Sequence, residues 1–206
     1  NGIATAMEGA FALPLWVSGV VLAALTAAVI LGGITRIGAV AEKLVPAMCV
    51  LYIVCVLWVL GVFFDRIPAA FELIITQAFA PTAAVGGFAG STMLMAMRMG
   101  VARGIFSNEA GLGTAGIAQA AGQSTSPVFS GRVGMMGTLI DTIIVCTMTG
   151  LAIVVSGVWN SGASGALLST QGFEAAMPGV GKYVLALSLA VFAFTTILGW
   201  AYYGEK

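Results

Sequence analysis

Residues 81–113, PTAAVGGFAGSTMLMAMRMGVARGIFSNEAGLG, are the stretch that decides the fold. Its first half is apolar enough to enter a bilayer, yet Gly86, Gly87 and Gly90 interrupt it. A glycine inside a helix costs about 1 kcal/mol relative to alanine, so the helix is weakened at this point. Non-helical backbone at membrane depth is tolerated where it is buried in protein or lines a cavity. The stretch therefore predicts a discontinuous transmembrane helix whose break, GGFAG, holds a small ligand.

The composition of the whole chain is typical of a helical integral membrane protein. Of the 206 residues, 60% are hydrophobic and 8% are charged, and the mean hydropathy is +1.06. Soluble domains carry about 25% charged residues, and the apolar runs here are too long and continuous for barrel strands. The net charge is zero, so no basic surface indicates binding to nucleic acid.

Hydropathy divides the chain into five apolar segments, which predicts an all-α polytopic membrane protein in contact with the lipid bilayer. The predicted spans cover about residues 13–33, 45–64, 82–100 (the broken one), 133–157 and 183–203. An amphipathic segment at 68–80 is too short to span and predicts an interfacial helix. The polar segment at 158–181 is expected to be a loop. We interpret residues 1–206 as a single transmembrane domain, a fragment of a longer protein.

The basic residues indicate an orientation in the bilayer. If the segment at 34–43 is cytoplasmic, six lysines and arginines fall on the cytoplasmic side and two on the other side. The positive-inside rule favours this arrangement, which requires the broken segment to cross the membrane once. The cytoplasmic set is Arg36, Lys43, Arg98, Arg103, Arg132 and Lys206, and the other set is Arg66 and Lys182.

The break GGFAG, from Gly86 to Gly90, is the first candidate site. A broken helix frees backbone groups at mid-depth, where a half-helix N-terminus can face a carboxylate and freed carbonyls can face a cation. Phe88 would then form a wall of the pocket. The alternative is close helix packing, because Gly86 and Gly90 also form a small-xxx-small pattern.

The polar loop SNEAGLG is the second candidate site. Ser107, Asn108 and Glu109, followed by Gly111 and Gly113, provide the hinge and the polar contacts that a cytoplasmic gate needs. The alternative is an ordinary polar turn in which Ser107 or Asn108 is the N-cap of the next helix.

Two polar positions inside apolar spans are further candidates. Asp141 lies in GTLIDTIIVCTMTG, where a carboxylate indicates ion binding or gating, or else structural hydrogen bonding to a neighbouring helix. Thr195 and Thr196 lie midway along the last span, where two hydroxyls can provide oxygen ligands to a small cation. Trp200 is one turn beyond Thr196, on the same helix face. The alternative for these hydroxyls is hydrogen bonding to carbonyls of the preceding turn.

Several ordered segments resemble the sodium:alanine symporter family, the alanine/glycine:cation symporters. The longest is GVARGIFSNEAGLGTAGIAQAA, and the resemblance extends over essentially the whole chain. The other segments are ILGGITRIGAVAEKLVPAM, PTAAVGGFAGSTMLMAMRMG, IDTIIVCTMTG and FAFTTILGWAYYGEK.

The resemblance implies a LeuT-type fold of two inverted five-helix repeats. This chain would provide about helices four to eight, with the broken helix as helix six. Thr195 and Thr196 match the paired hydroxyls that help to bind sodium in such transporters, and SNEAGLG matches the cytoplasmic gate region. The residues that the resemblance implies for substrate binding are Gly86, Gly87, Phe88, Gly90, Thr92, Thr196 and Trp200.

The function that the resemblance implies is sodium-coupled symport of alanine or glycine across the cytoplasmic (inner) membrane by alternating access. Sodium would be the coupling ion, and no other cofactor or metal is expected. Proton coupling, with Asp141 as a candidate, is the nearest alternative. A channel would need a continuous polar pore, whereas these spans have few polar faces. A structural membrane subunit would be hydrophobic too, but it would not need glycines in the middle of a span. An enzyme is not expected, because the chain has no histidine and no Ser-Lys pair within one span.

Overall fold

A computed structural model describes residues 2–79, 89–109, 111–124 and 126–205. Within these ranges all regular structure is helical, as the apolar segments predict. A π-helical segment, Leu139–Cys146, joins α7 to α8, and short 3-10 turns lie at Phe64–Arg66 and Val158–Asn160. The α-helices are α1 (Gly2–Phe11), α2 (Leu15–Ile30), α3 (Gly33–Val62), α4 (Ile67–Phe79), α5 (Ala89–Ser107), α6 (Thr114–Ala120), α7 (Pro127–Thr138), α8 (Thr147–Ser156), α9 (Gly165–Ala176) and α10 (Gly181–Glu205).

Three helical stretches of the described chain have the length and hydropathy needed to cross a membrane. They are Gly33–Val62, Pro127–Ser156 and Gly181–Glu205, of 30, 30 and 25 residues. Twenty helical residues span about 30 Å, the thickness of the hydrocarbon core. Helix α2 is also apolar but has 16 residues. These lengths and compositions are those of an integral membrane protein.

Two helices extend beyond the limits that hydropathy suggests. Arg36, Glu42 and Lys43, which composition places between spans, lie in the first turns of α3. Long unbranched side chains lose little rotamer freedom in a helix, so a charged segment can be helical outside the bilayer. Helix α5 likewise ends at Ser107 rather than near residue 100. Hydropathy marks where a chain meets lipid, whereas helix ends depend on local backbone preference.

The prediction of a loop at 158–181 is wrong in part, because α9 lies within it. Its Phe173 side chain is only 2% exposed. The Phe173 ring stacks on Tyr52 of α3 at 6.1 Å between centroids, and Tyr52 also meets Phe192 of α10 edge-on at 5.4 Å. The glycines and serines of this segment are typical of a loop, so the sequence does not indicate a helix here. The helix is stabilised by these aromatic contacts with residues that are distant in the chain.

The chain forms two compact units, Asn1–Phe64 with Ala152–Lys206, and Asp65–Leu151. In the first unit, α10 packs against α1, α3 and α9. The largest fully buried side chains of this core are Val56, Val59, Leu185 and Leu198. In the second unit, the π-helical segment contacts α5, and α6 packs on α7.

Helices α9 and α10 approach closely at Gly181, a buried glycine that begins α10. A Cβ added at this position would overlap the backbone carbonyl of Phe173. A backbone carbonyl, unlike the end of a flexible side chain, cannot turn away. The contact therefore requires glycine at residue 181.

We expect Gly181→Ala to separate the start of α10 from α9, at a cost of about 1–3 kcal/mol for overpacking. Hydrogen exchange of the full-length protein in detergent should then be faster over residues 165–176. Gly199→Ala is the matched control, because a Cβ added there, in the same helix, meets no atom within 4 Å. Equal exchange in the two variants would contradict the close-approach explanation.

The turn between α9 and α10 is held by Glu174. The Glu174 carboxylate accepts hydrogen bonds from the backbone N–H groups of Gly179 at 2.6 Å and Lys182 at 3.0 Å. The Lys182 N–H belongs to the first turn of α10, which has no partner for it within the helix. The Gly179 bond, then the Lys182 bond, and to a lesser extent the Lys182 charge, lower the pKa of Glu174 below its ordinary value of 4.5.

This turn should weaken in acid. Because the pKa of Glu174 is depressed in the folded state, its contribution to stability is present above the ordinary pKa and is lost as the pH falls through the lower folded value. Protection factors of the Gly179 and Lys182 amides should be constant between about pH 7 and pH 5 and fall below about pH 4. Glu174→Gln should show low protection across this range, and Glu72→Gln is a control for the same chemical change. Wild-type protection in Glu174→Gln at pH 7 would exclude this role.

Candidate functional site

The predicted substrate site falls mainly outside the described residues. Gly86, Gly87 and Phe88 lie there, so their roles stay predictions. Gly90 and Thr92 lie in the first turn of α5, which begins at Ala89.

The predicted sodium ligands lie on α10. The hydroxyl of Thr195 donates to the backbone carbonyls of Val191 at 3.1 Å and Phe192 at 2.9 Å, and lies 3.7 Å from the sulfur of Met48 on α3. Thr196 donates to the Phe192 carbonyl at 2.8 Å. These are the local hydrogen bonds of the alternative interpretation. A hydroxyl that donates its proton keeps lone pairs on its oxygen, so the sodium role stays a prediction.

Trp200 lies on the same helix one turn beyond Thr196, and its side chain is 41% exposed. Its ring contacts Tyr203 in a T-shaped arrangement, with 5.8 Å between the centroids. Tyr203 therefore restricts the orientation of the indole. The predicted role of Trp200 in substrate binding is not tested by this contact.

The described part of SNEAGLG, residues 107–109 and 111–113, connects α5 to α6. Ser107 is the last residue of α5, and Gly113 is the N-cap of α6. The alternative in which Ser107 or Asn108 caps the next helix is therefore wrong, because Gly113 holds the N-cap position of α6 and no side chain of the described residues caps that helix end. The carboxylate of Glu109 accepts a hydrogen bond of 2.6 Å from the Thr114 hydroxyl, which ties the turn to the first residue of α6.

Among the described residues of this turn, three have left-handed backbone conformations. Gly111 and Gly113 have φ values of +79° and +82°, and Glu109 has +55°. A residue with a Cβ pays about 1–2 kcal/mol in this region, whereas glycine does not. The two glycines therefore adopt these conformations without a steric cost, whereas Glu109 carries backbone strain at the point where its side chain binds α6.

The second unit brings together two residues that sequence analysis treated separately. The Ser107 hydroxyl donates a hydrogen bond to the carboxylate of Asp141, 34 residues further along the chain. The Thr142 hydroxyl lies 3.5 Å from the same carboxylate oxygen, and the sulfur of Cys146 lies 3.6 Å from the Ser107 oxygen. Both Ser107 and Asp141 are half-buried. This cluster joins the beginning of the candidate gate to the predicted span at residues 133–157.

Sequence reasoning missed the place of Cys146 in this cluster. Asp141 and Cys146 lie five residues apart in the π-helical segment, whose hydrogen bonds run from i to i+5. In an α-helix the same two side chains would be about 140° apart around the axis. Only an expectation of π-helix could have placed them together, and such segments are rare and frequently occur at functional sites.

Comparison of the sequence with known protein families and proteins shows which family this chain is similar to. Residues 1–206 match the sodium:alanine symporter family. Over 208 residues the chain is 44% identical to an uncharacterized transporter of Haemophilus influenzae, and the match covers 100% of this chain and 46% of that protein. It is 42% identical over 210 residues to the sodium/alanine symporter AgcS of Methanococcus maripaludis, which covers 100% of this chain and 45% of that protein. It is 36% identical over 219 residues to the putative sodium/proton-dependent alanine carrier protein YrbD of Bacillus subtilis, covering 100% of this chain and 44% of that protein. The chain spans about half the length of these relatives.

Proposed function

The chain belongs to the sodium:alanine symporter family, and from this premise we propose that it is part of a sodium-coupled symporter of small neutral amino acids, alanine or glycine. The observation that carries the proposal is a family match over all 206 residues, in agreement with the motifs of the sequence. The name of the Methanococcus relative supports sodium and alanine as the transported pair. The proposed location is the cytoplasmic membrane.

The proposed fold is of the LeuT type, and this chain contributes about helices four to eight of two inverted repeats. Three long apolar helices and an all-helical described chain are compatible with this fold. In such folds a discontinuous helix presents backbone N–H groups to a substrate carboxylate and carbonyls to a cation. We assign this part to GGFAG, the segment from Gly86 to Gly90.

The proposed mechanism is alternating access. Sodium binds with the help of Thr195 and Thr196, stabilises the outward-open state and raises the affinity for the amino acid. By linkage the amino acid raises the affinity for sodium by the same factor. Phe88 and Trp200 restrict the side chain that the site accepts. The turn at 107–113 belongs to the cytoplasmic gate, which opens after both ligands are bound.

Labelled alanine uptake into liposomes that carry the full-length protein tests the proposal. We expect uptake to require an inward sodium gradient, to stop when choline replaces sodium at fixed pH, and to be competed by unlabelled glycine. No alanine uptake under either a sodium or a proton gradient would contradict the proposed substrate.

Proton coupling is the second candidate, and the name of the Bacillus relative, which includes both sodium and proton, favours testing it. In the same liposomes a pH gradient without sodium separates the two. Uptake driven by the pH gradient and indifferent to sodium would move the coupling site from Thr195 and Thr196 towards Asp141.

The sodium role of Thr195 has a matched control in its own helix. Ser188 donates the same kind of local bond, to the Val184 carbonyl at 2.9 Å. Loss of a cation ligand worth about 1.4 kcal/mol raises a half-saturating concentration about tenfold. Thr195→Ala should therefore raise the sodium concentration for half-maximal uptake about tenfold, whereas Ser188→Ala leaves it close to wild type and Thr195→Ser preserves most of the affinity. Equal effects of Thr195→Ala and Ser188→Ala would mean that the Thr195 hydroxyl acts only through its local bond.

A further inference from the structure

The contact between Ser107 and Asp141 connects two segments of the second unit that have unusual backbone conformations, a turn with left-handed residues and a π-helix. Ser107 ends α5 and is followed directly by the turn with left-handed residues. Asp141 lies in the π-helical segment Leu139–Cys146. A hydrogen bond between them fixes the start of this turn against that segment.

The position of Ser107 depends on the π-helical register. Its hydroxyl oxygen is within hydrogen-bonding reach of the Asp141 carboxylate and 3.6 Å from the Cys146 sulfur. One hydroxyl can meet both side chains only if they lie on the same face of their helix. Residues five apart share a face in the i to i+5 register of a π-helix and diverge by about 140° in an α-helix.

The structure has Leu139–Cys146 in the π register, and an α-helix is the other register that such a segment can adopt. A π-turn holds one residue more than an α-turn, so conversion to α-helix shifts the bonding register by one residue and rotates the residues on one side relative to those on the other. Interfaces with two discrete arrangements are what conformational transitions use. The Ser107 contact stabilises the π register, because Asp141 and Cys146 face it together only there.

We infer that the hydrogen bond between Ser107 and Asp141 is a latch of the cytoplasmic gate, which holds the π register and must break once in each transport cycle. This inference rests on the proposed function, since only a transporter needs to open this gate. Ser107 is a positioning residue here. It acts through Asp141 on the register of the π-helical segment.

The native Cys146 allows the latch to be locked. In a full-length protein whose other cysteines, including Cys49 and Cys55, are replaced by alanine, Ser107→Cys places a thiol beside Cys146. Copper phenanthroline with oxygen removes two protons and two electrons from the two thiols and leaves a disulfide, and dithiothreitol returns the electrons. We expect the disulfide to lower the initial rate of sodium-driven alanine uptake at least about tenfold, and the reductant to restore the rate of the reduced variant.

The control for the oxidant is the parent with Ser107 and Cys146 intact, which has no second thiol and should keep its uptake rate. Uptake by the cross-linked variant at the rate of the reduced variant would overturn the inference, because the contact would then persist throughout transport. Failure of the disulfide to form would overturn it as well, since the two side chains would not be neighbours.

Alkylation of Cys146 by a membrane-impermeant maleimide, followed by mass spectrometry of its peptide, tests the latch without a cross-link. Cys146 is an exposed residue, but the Ser107 hydroxyl lies 3.6 Å from its sulfur and hinders attack on the thiol while the contact is closed. Loss of a hydrogen bond to a carboxylate should raise the open population, and with it the alkylation rate, by about tenfold in Ser107→Ala. Ser107→Thr keeps the hydroxyl and should return the rate to within about twofold of wild type. Thr138→Ala is the matched control, because the Thr138 hydroxyl donates to the Gly134 carbonyl of its own helix. An unchanged rate in Ser107→Ala would exclude the latch.

The two readouts separate failure of the latch from failure of the proposed function. If the reduced parent takes up no alanine under a sodium gradient, the proposed function is wrong, and the alkylation rates still decide whether the contact opens. If the reduced parent transports alanine and the cross-linked variant does so equally well, only the latch is wrong.

Discussion

In the hydrocarbon core of a bilayer, a backbone N–H or C=O group without a partner costs several kcal/mol. A helix satisfies all of these groups within one segment, which is why the described parts of this apolar chain fold into helices. Several side-chain hydroxyls meet the same constraint, although the buried Ser18 hydroxyl of α2 has no hydrogen-bond partner among the described residues. Ser156 and Ser188 each donate to a carbonyl of their own helix at 2.9 Å, and Thr149 donates to the Val145 carbonyl of the adjoining π-helical segment at 2.7 Å. These hydroxyls are therefore hydrogen-bonded to carbonyls of the preceding turn and do not need water as a partner.

Between the spans, backbone groups are no longer confined to the hydrocarbon core, and other interactions stabilise the chain. Helix α9 is held by the burial of Phe173 against Tyr52 and by the absence of a Cβ at Gly181. The carboxylate of Glu174 pairs with backbone N–H groups at the start of α10, which the helix cannot satisfy itself. Aromatic packing, a close backbone approach and side-chain capping thus do between the spans what continuous backbone hydrogen bonding does within them.

The sequence predicts the all-helical class and the family because both depend on long ordered patterns, namely apolar runs and a motif such as SNEAGLG. It does not predict α9, whose stability depends on Tyr52, more than a hundred residues away from Phe173. Nor does it predict where α3 begins. Charged residues such as Lys43 are good helix formers, and hydropathy does not measure helix propensity. The sequence predicts a hinge at Gly111 and Gly113, and this role stays a prediction, while the left-handed backbone of both residues explains why glycine stands at these two positions. The partnership of Ser107 and Asp141 could not be predicted, since it depends on a rare helical register as well as on a long-range contact.

The difference between local and long-range polar contacts also decides which polar residues of the spans carry information about function. A threonine that donates to its own helix, as Thr196 does, keeps this hydrogen bond when the helix moves as a rigid body. The bond therefore neither supports nor opposes a role of the threonine as a cation ligand. Such a bond polarises the hydroxyl and makes its oxygen a better acceptor, which leaves it suited to a cation. The bond from Ser107 to Asp141 is different, because it constrains two separate elements relative to each other. If either element moves during function, this bond has to break, and its strength then sets part of the energy difference between the two states.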